Sequence, residues 1–274
     1  MAKTVNRTSL DPFEFGKQLL DTEDLDPIYT MLWRAKLPRS QLEKWLVGYW
    51  CFYHAGVSSK LSEVDSGSFF HRLRCMVPGT VYPRGTERRH FRGDNGINSV
   101  NDLQKKYGIP SALFSYLVEG APLTLDKTMH RVERWTGFGP WIAFKVADML
   151  ERLDICEIEF KSDDVFSMFE SPRKGARILA DRYNGPEGDR AFSWAYGVLI
   201  DRLGSALAPP RYERSINIQE VETILCKWKS HLGGHYPVGK DTREIREGLL
   251  RYAKNKTCQR LLRSIGSRKC LMQS

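Results

Sequence analysis

Apolar residues in this chain recur every three to four positions, and no stretch alternates over the length of a strand. The clearest case is residues 40–56, SQLEKWLVGYWCFYHAG, in which Leu42, Trp45, Leu46, Tyr49, Trp50 and Tyr53 fall on one helical face. Ser40 and Glu43 read as a capping box at its start, and Gly56 as its stop. The same rhythm predicts short helices over 111–119 and 125–135, halted by Gly120 and Gly137. A further helix is predicted over 140–153, where Pro140 suits the first turn. Helices also follow over 173–183, 188–203, 217–231 and 241–264. The fold class is all-α. At 274 residues the chain fits one large helical domain, or two lobes that share a core and flank a cleft.

Charge narrows the partner. Lys and Arg number 42 against 33 acids, a net charge of +9, which favours a polyanion because each phosphate contact releases condensed counterions. No run approaches the roughly 18 apolar residues needed to span a bilayer. The opening MAKTVNRTSLDPFEF lacks the apolar core of a secretory signal, so a cytoplasmic location and no membrane partner are expected. Cys51, Cys75, Cys156, Cys226, Cys258 and Cys270 are scattered, without CxxC spacing, which predicts reduced thiols and no structural metal.

Three segments break the helical rhythm and carry dense functional chemistry. Within residues 78–98, the string RGTERRHFR packs Arg84, Arg88, Arg89 and Arg92 around His90. A guanidinium is a planar fork of donors that keeps its charge, so such a cluster suits a di- or polyphosphate. A solvated basic loop, or one paired to acids elsewhere, is the competing reading. The second segment runs from the hairpin Gly137-Phe138-Gly139 into the Pro140 helix. Helix, Gly-x-Gly turn and Pro-initiated helix form the grammar of a helix–hairpin–helix, whose amides hold a DNA phosphate. An ordinary αα-corner has the same grammar. Gly137, Phe138, Gly139 and Lys145 make up the DNA-contacting set expected here.

Beyond that helix lie Asp163 and Asp164, in FKSDDVF at the end of a loop over 154–164. Either can be a helix cap or a group that acts on substrate. The third segment, CKWKSHLGGHYPVGKD at 226–241, interleaves cations with aromatics as a nucleic-acid contact does. It contributes Lys227 and Lys229 as phosphate-binding candidates and His235, Tyr236 and Lys240 as DNA-binding ones. His231 and His235 do not read as a metal pair, because Gly233-Gly234 breaks their helical register. Trp45, Trp50, Trp141 and Trp194 fit a core, whereas Phe91, Tyr82 and Tyr236 lie in loops and fit stacking on an extruded base.

Taken in order, RGTERRHFRG, FGPWIAFKVADMLERL, DDVF and CKWKSHLGGHYPVGKD resemble a bacteriophage thymine-hypermodification family. Its members are the alpha-glutamyl/putrescinyl thymine pyrophosphorylases, or amino acid:DNA transferases. The likeness covers about 25–250. A phage kinase of 5-hydroxymethyluracil, which travels with a related module, is excluded by the absence of a G-x-x-x-x-G-K-[ST] loop. The resemblance implies a helix–hairpin–helix glycosylase-like scaffold and a single catalytic domain over 1–274. It implies double-stranded phage DNA carrying modified thymine-like bases as one substrate, and an amino acid or polyamine as the other.

The implied reaction replaces the (pyro)phosphate of a 5-(phosphoryloxymethyl)uracil with the amine, on a base flipped out of the duplex. Arg84, Arg88, Arg89 and Arg92 would stabilise the departing charge, with His90 as acid to the leaving oxygen. Asp163 or Asp164 would position the amine and take its proton. No cofactor is implied, with Mg²⁺ at most a companion of pyrophosphate. Two rival functions share these residues: a DNA N-glycosylase for a modified base, and a non-catalytic binder of modified DNA.

Overall fold

The computed structural model describes residues 10–161, 165 and 169–265. Among these are fourteen α-helices: α1 Pro12–Asp21, α2 Pro27–Ala35, α3 Arg39–Phe52, α4 Ala55–Ser62, α5 Phe69–Met76, α6 Gly93–Tyr107, α7 Pro110–Val118, α8 Leu125–Glu133, α9 Pro140–Arg152, α10 Glu170–Arg182, α11 Arg190–Leu203, α12 Ile218–Leu232, α13 Lys240–Leu250 and α14 Lys256–Ser264. The fold is all-α, as the periodicity predicts. Two strands of two residues, β1 Leu123–Thr124 and β2 Ile158–Glu159, pair in parallel, with Leu123 opposite Ile158. They are too short for alternation to register. Contacts divide the chain into two compact units, one over 31–159 and 243–265, the other over 1–30, 160–242 and 266–274.

In the 31–159 unit, α3 is the spine, packed by α4, α7 and α9. Trp45, Trp50 and Phe52 are fully buried. The Trp45 indole N–H donates to Ser59 Oγ at 3.1 Å, and Trp50 stacks on Phe114 at 5.4 Å. Burial of each such ring stabilises the fold by about 2–3 kcal/mol.

The start and stop of this helix differ from the sequence reading. The capping box of Ser40 and Glu43 does not form: Pro38 is the N-cap and its carbonyl accepts from Gln41 and Leu42. Glu43 instead accepts from Arg39 Nε at 2.8 Å. The helix ends at Tyr53, left-handed at φ 49°, and His54 caps α4 by accepting from the Val57 N–H through Nδ1. Gly56 therefore lies inside α4. It is needed there because a Cβ would overlap the Gly248 carbonyl oxygen. The helix predicted over 241–264 is likewise two, α13 and α14, because Asn255 caps the second by accepting from the Cys258 N–H.

In the other unit, α10 packs on α12 and α11, and α1 lies against α12. Asn217 and Glu220 form the capping box of α12. Its organising group is Asp24, wholly buried in the turn after α1. Its carboxylate accepts from Tyr236 Oη at 3.1 Å, Gly239 N at 2.7 Å, Thr242 N at 2.9 Å and Thr242 Oγ1 at 2.7 Å. Burial, reinforced by Asp241 and Asp24, pushes the Tyr236 hydroxyl far above its ordinary range, so it remains a donor.

Asp24→Ala strands those donors and is expected to lower unfolding free energy by roughly 3 kcal/mol in urea melts. His54 supplies a pH test. Burial first, and then Arg251, lowers its pKa from 6.5 to about 4, so the unfolded chain binds the extra proton between these values. Stability should fall as pH drops from 6.5 towards 4, by about 2 kcal/mol, and His54→Asn, which keeps the cap, should remove that component.

Candidate functional site

The arginine loop joins α5 to α6 and is bent around a 3-10 turn at Thr86–Arg88. Its first arginine is spent on the loop itself. Arg84 Nε donates to Phe91 O at 2.7 Å, Nη1 to Tyr82 O at 3.1 Å and Nη2 to Val77 O, and the group lies 4.9 Å from the Phe52 ring centroid. Burial and the charge of Arg92 lower its pKa to about 10. With these donors turned inward, Arg84 shapes the loop.

Arg88 faces the hairpin. Only 7% exposed, its guanidinium is sandwiched between the rings of Phe91 and Phe138, each centroid 4.7 Å away. Nη1 donates to the Gly137 carbonyl at 3.0 Å and Nε to the Cys51 carbonyl at 3.4 Å, while buried Nη2 has no partner. The neighbouring Cys51 thiol is pushed up to about 12 by burial and stays neutral, so it offers no counter-charge. Burial lowers the Arg88 pKa itself. Arg89, His90 and Arg92 are exposed on the same loop. Among the described residues Arg89 and Arg92 make no ion pair. Arg89 Nε donates to His90 Nε2 at 3.1 Å, which occupies that nitrogen's lone pair and leaves Nδ1 as the proton-bearing side of the ring.

The hairpin between α8 and α9 is held from α6. Ser99 Oγ lies 2.5 Å from the Thr136 carbonyl, and Thr136 N and Oγ1 both donate to Asp102 at 3.2 Å. Gly137 has φ +78°, and a Cβ there would overlap Ser99 Oγ. Gly139 is the extended N-cap of α9, with no side chain to satisfy the first-turn amides. Glu133, Arg134 and Trp135 through Gly139 line an open depression of about 480 Å³. The first turn of α9 thus has no side-chain cap, and Arg88 is bonded to the same hairpin through the Gly137 carbonyl.

Two aromatic residues complete this region, and sequence reasoning missed both. Tyr53, at the left-handed end of α3, meets Trp141 in the first turn of α9 edge-to-face at 5.0 Å, and both are half-buried. Trp141 read as core because periodicity cannot distinguish a first-turn rim position from an interior one. The Gly85 N–H donates to Phe52 O at 2.9 Å, bringing the loop to the same helix end. The structure thus gathers the arginine loop, the hairpin and the end of α3.

Other expected site residues have different duties. Phe138 is buried against Trp135, so the hairpin offers its backbone and not this ring. Phe91 is buried as well, which corrects its reading as a stacking residue. The Lys145 side chain is 13% exposed and its Nζ lies 3.6 Å from the buried Asp148 carboxylate. Lys227 donates to the carbonyls of Asp24 and Leu25 and pairs with Asp241 at 2.8 Å. Tyr236 is 6% exposed. Lys227 and Tyr236 therefore close the 233–241 loop onto Asp24. Lys240 Nζ donates to the His235 carbonyl, His235 is exposed and Lys229 is half-exposed. Both ring nitrogens of His231 are engaged, with Leu10 N and Tyr236 O. Asp163 and Asp164 lie outside the described residues.

A model of the amino acid:DNA transferase family matches residues 19–236. The glycinyltransferase of Pseudomonas phage PaMx11 is 41% identical over 285 positions, covering 94% of this chain and 96% of that protein. The putrescinyltransferase of Delftia phage PhiW-14 is 29% identical over 249 positions, covering 87% and 78% respectively.

Gly137→Ala introduces both a disfavoured φ and a clash with Ser99. It should weaken duplex binding about tenfold in a fluorescence titration, whereas Gly79→Ala, also at positive φ but in open space, should leave binding unchanged.

Proposed function

The chain belongs to the amino acid:DNA transferase family, and on that premise we propose that it replaces the pyrophosphate carried on the 5-methylene of a 5-(phosphoryloxymethyl)uracil-type base in phage DNA with an amine, the whole pyrophosphate leaving with its bridging oxygen. It is a transferase. The glycinyl- and putrescinyltransferase relatives support an amino acid or polyamine as co-substrate. Phage DNA modification would then take place in the cytoplasm of the infected host.

The carrying observation is Arg88, a buried guanidinium fixed against the hairpin, whose Nη2 has no hydrogen-bond partner and which makes no ion pair among the described residues. A buried cation is costly unless an anion neutralises it, and the anion it suits is a phosphate. As the methylene carbon bonds to the amine nitrogen, the carbon–oxygen bond breaks and its electron pair leaves with pyrophosphate. The negative charge grows on the leaving group, where a preorganised cation stabilises the transition state more than the ground state. Arg89 and Arg92, exposed on the same loop, supply further charge. His90, exposed on the same loop, is the candidate acid for the leaving oxygen. Asp163 or Asp164 takes the ammonium proton, without which the amine has no lone pair to attack with.

The hairpin amides hold a backbone phosphate while the target base is extruded, with Tyr53 and Trp141 as faces for it to stack on. Lys229 and His235 remain candidates for backbone contact. No resident cofactor enters the reading, and Mg²⁺ would serve only as a counter-ion of pyrophosphate.

Incubating 5-pyrophosphorylated DNA with the protein and a panel of amines, then weighing the nucleosides, should show a base carrying one of those amines. Unchanged nucleoside masses with every amine would refute the transfer. Arg89→Ala/Arg92→Ala removes only exposed side chains and should lower turnover about a hundredfold with the melting temperature unmoved; full activity would take the loop out of the mechanism.

A further inference from the structure

The matched family region ends at residue 236, yet residues 243–265 are built into the same compact unit as the arginine loop. Helix α14 is fixed firmly. Glu63 accepts from Thr257 N at 2.8 Å and from Thr257 Oγ1 at 2.9 Å, and Cys258 and Leu261 are fully buried. Arg260 Nε and Nη2 donate to the carbonyls of Ala35 and Lys36, which closes the end of α2. The close approach at Gly56 and Gly248 secures α13 to α4.

What this anchored element turns outward is charge of one sign. Arg251, Lys254, Lys256, Arg260 and Arg263 are all exposed, and residues 248–265 contain no acid. Lys256, Arg260 and Arg263, at i, i+4 and i+7, share one face of α14, opposite the buried Thr257, Cys258 and Leu261. Among the described residues, Arg251, Lys254, Lys256 and Arg263 make no ion pair. Like charges held this close repel one another, so the ridge destabilises the isolated protein and favours an anion laid along it.

The turn before α14 lies beside the end of α3, and α4 beside the arginine loop. Tyr252 meets His54 edge-on at 6.2 Å, next to Tyr53, and Lys60 lies 5.4 Å from the ring of Tyr82 in the arginine loop.

We propose that α14 and the turn before it form a second track for the phosphodiester backbone, holding duplex that flanks the modified base. The proposal rests on DNA being the substrate, but on no feature of the chemistry. Its occupant is a linear polyanion of regular spacing, since the cations are strung along a rigid helix instead of converging on one point.

The test is binding of unmodified duplex as a function of salt, comparing the parent protein with Lys254→Gln/Lys256→Gln/Arg263→Gln. The variant is expected to bind roughly tenfold more weakly at low salt. Its plot of log affinity against log salt should be shallower by about 2 to 3, or about 0.9 for each phosphate that is no longer neutralised. Melting temperature, and turnover at saturating modified DNA, should stay at parental values. Unchanged affinity and slope would overturn the track, as would a weakening confined to anionic phospholipid vesicles. Because catalysis is read separately, failure here leaves amine transfer standing, and failure of transfer leaves the binding result standing.

Discussion

Arg88 carries the constraint on which the rest of the site depends. A single guanidinium ties the arginine loop to the hairpin carbonyl of Gly137 and to the end of α3 at Cys51, while two aromatic rings keep water from it. Such a group is expensive to bury, because hydrogen bonds to carbonyls offset only part of the hydration it gives up. Among the described residues it makes no ion pair, and the neighbouring Cys51 thiol is held protonated by burial. The loop, the hairpin and the helix end are thus assembled around an unneutralised positive charge.

Division of labour among the arginines follows from the same physics. Arg84 gives its donors to the loop carbonyls, which converts a Gly- and Pro-rich segment into a defined shape. That shape presents Arg89, His90 and Arg92 to solvent. A cluster that looks uniform in sequence is one framework residue, one buried tie and three exposed groups. The segment at 226–241 is a second instance. Its lysine and tyrosine, suited by type to nucleic acid, converge on Asp24, where burial fixes Tyr236 as a donor and Lys227 closes against two carbonyls.

Helix identity was legible for α3 and for α7 to α14, whose buried stripes at 3.6-residue spacing can be read without knowing what covers them, whereas α1, α2, α5 and α6 were not predicted. Helix ends were less so. Ser40 and Glu43 match a capping box by type, but Pro38 begins the helix earlier. Gly56 matches a stop, but it is a close-approach glycine against Gly248, a neighbour far along the chain. Local residue type cannot distinguish these cases, because the deciding contact is non-local. The paired strands of two residues and the aromatic rim of Tyr53 and Trp141 were hidden for the same reason.

By itself, the sequence determined an all-helical chain, a cationic surplus suited to a polyanion, and the order of literal strings that marks its family; each is a property of residue type and spacing. Tertiary structure alone decided which cations are available. Whether a guanidinium donates to its own loop, stays buried without a counter-charge or reaches into solvent depends on carbonyls and rings brought from distant segments, and a list of side chains holds no information about how far apart they come to rest.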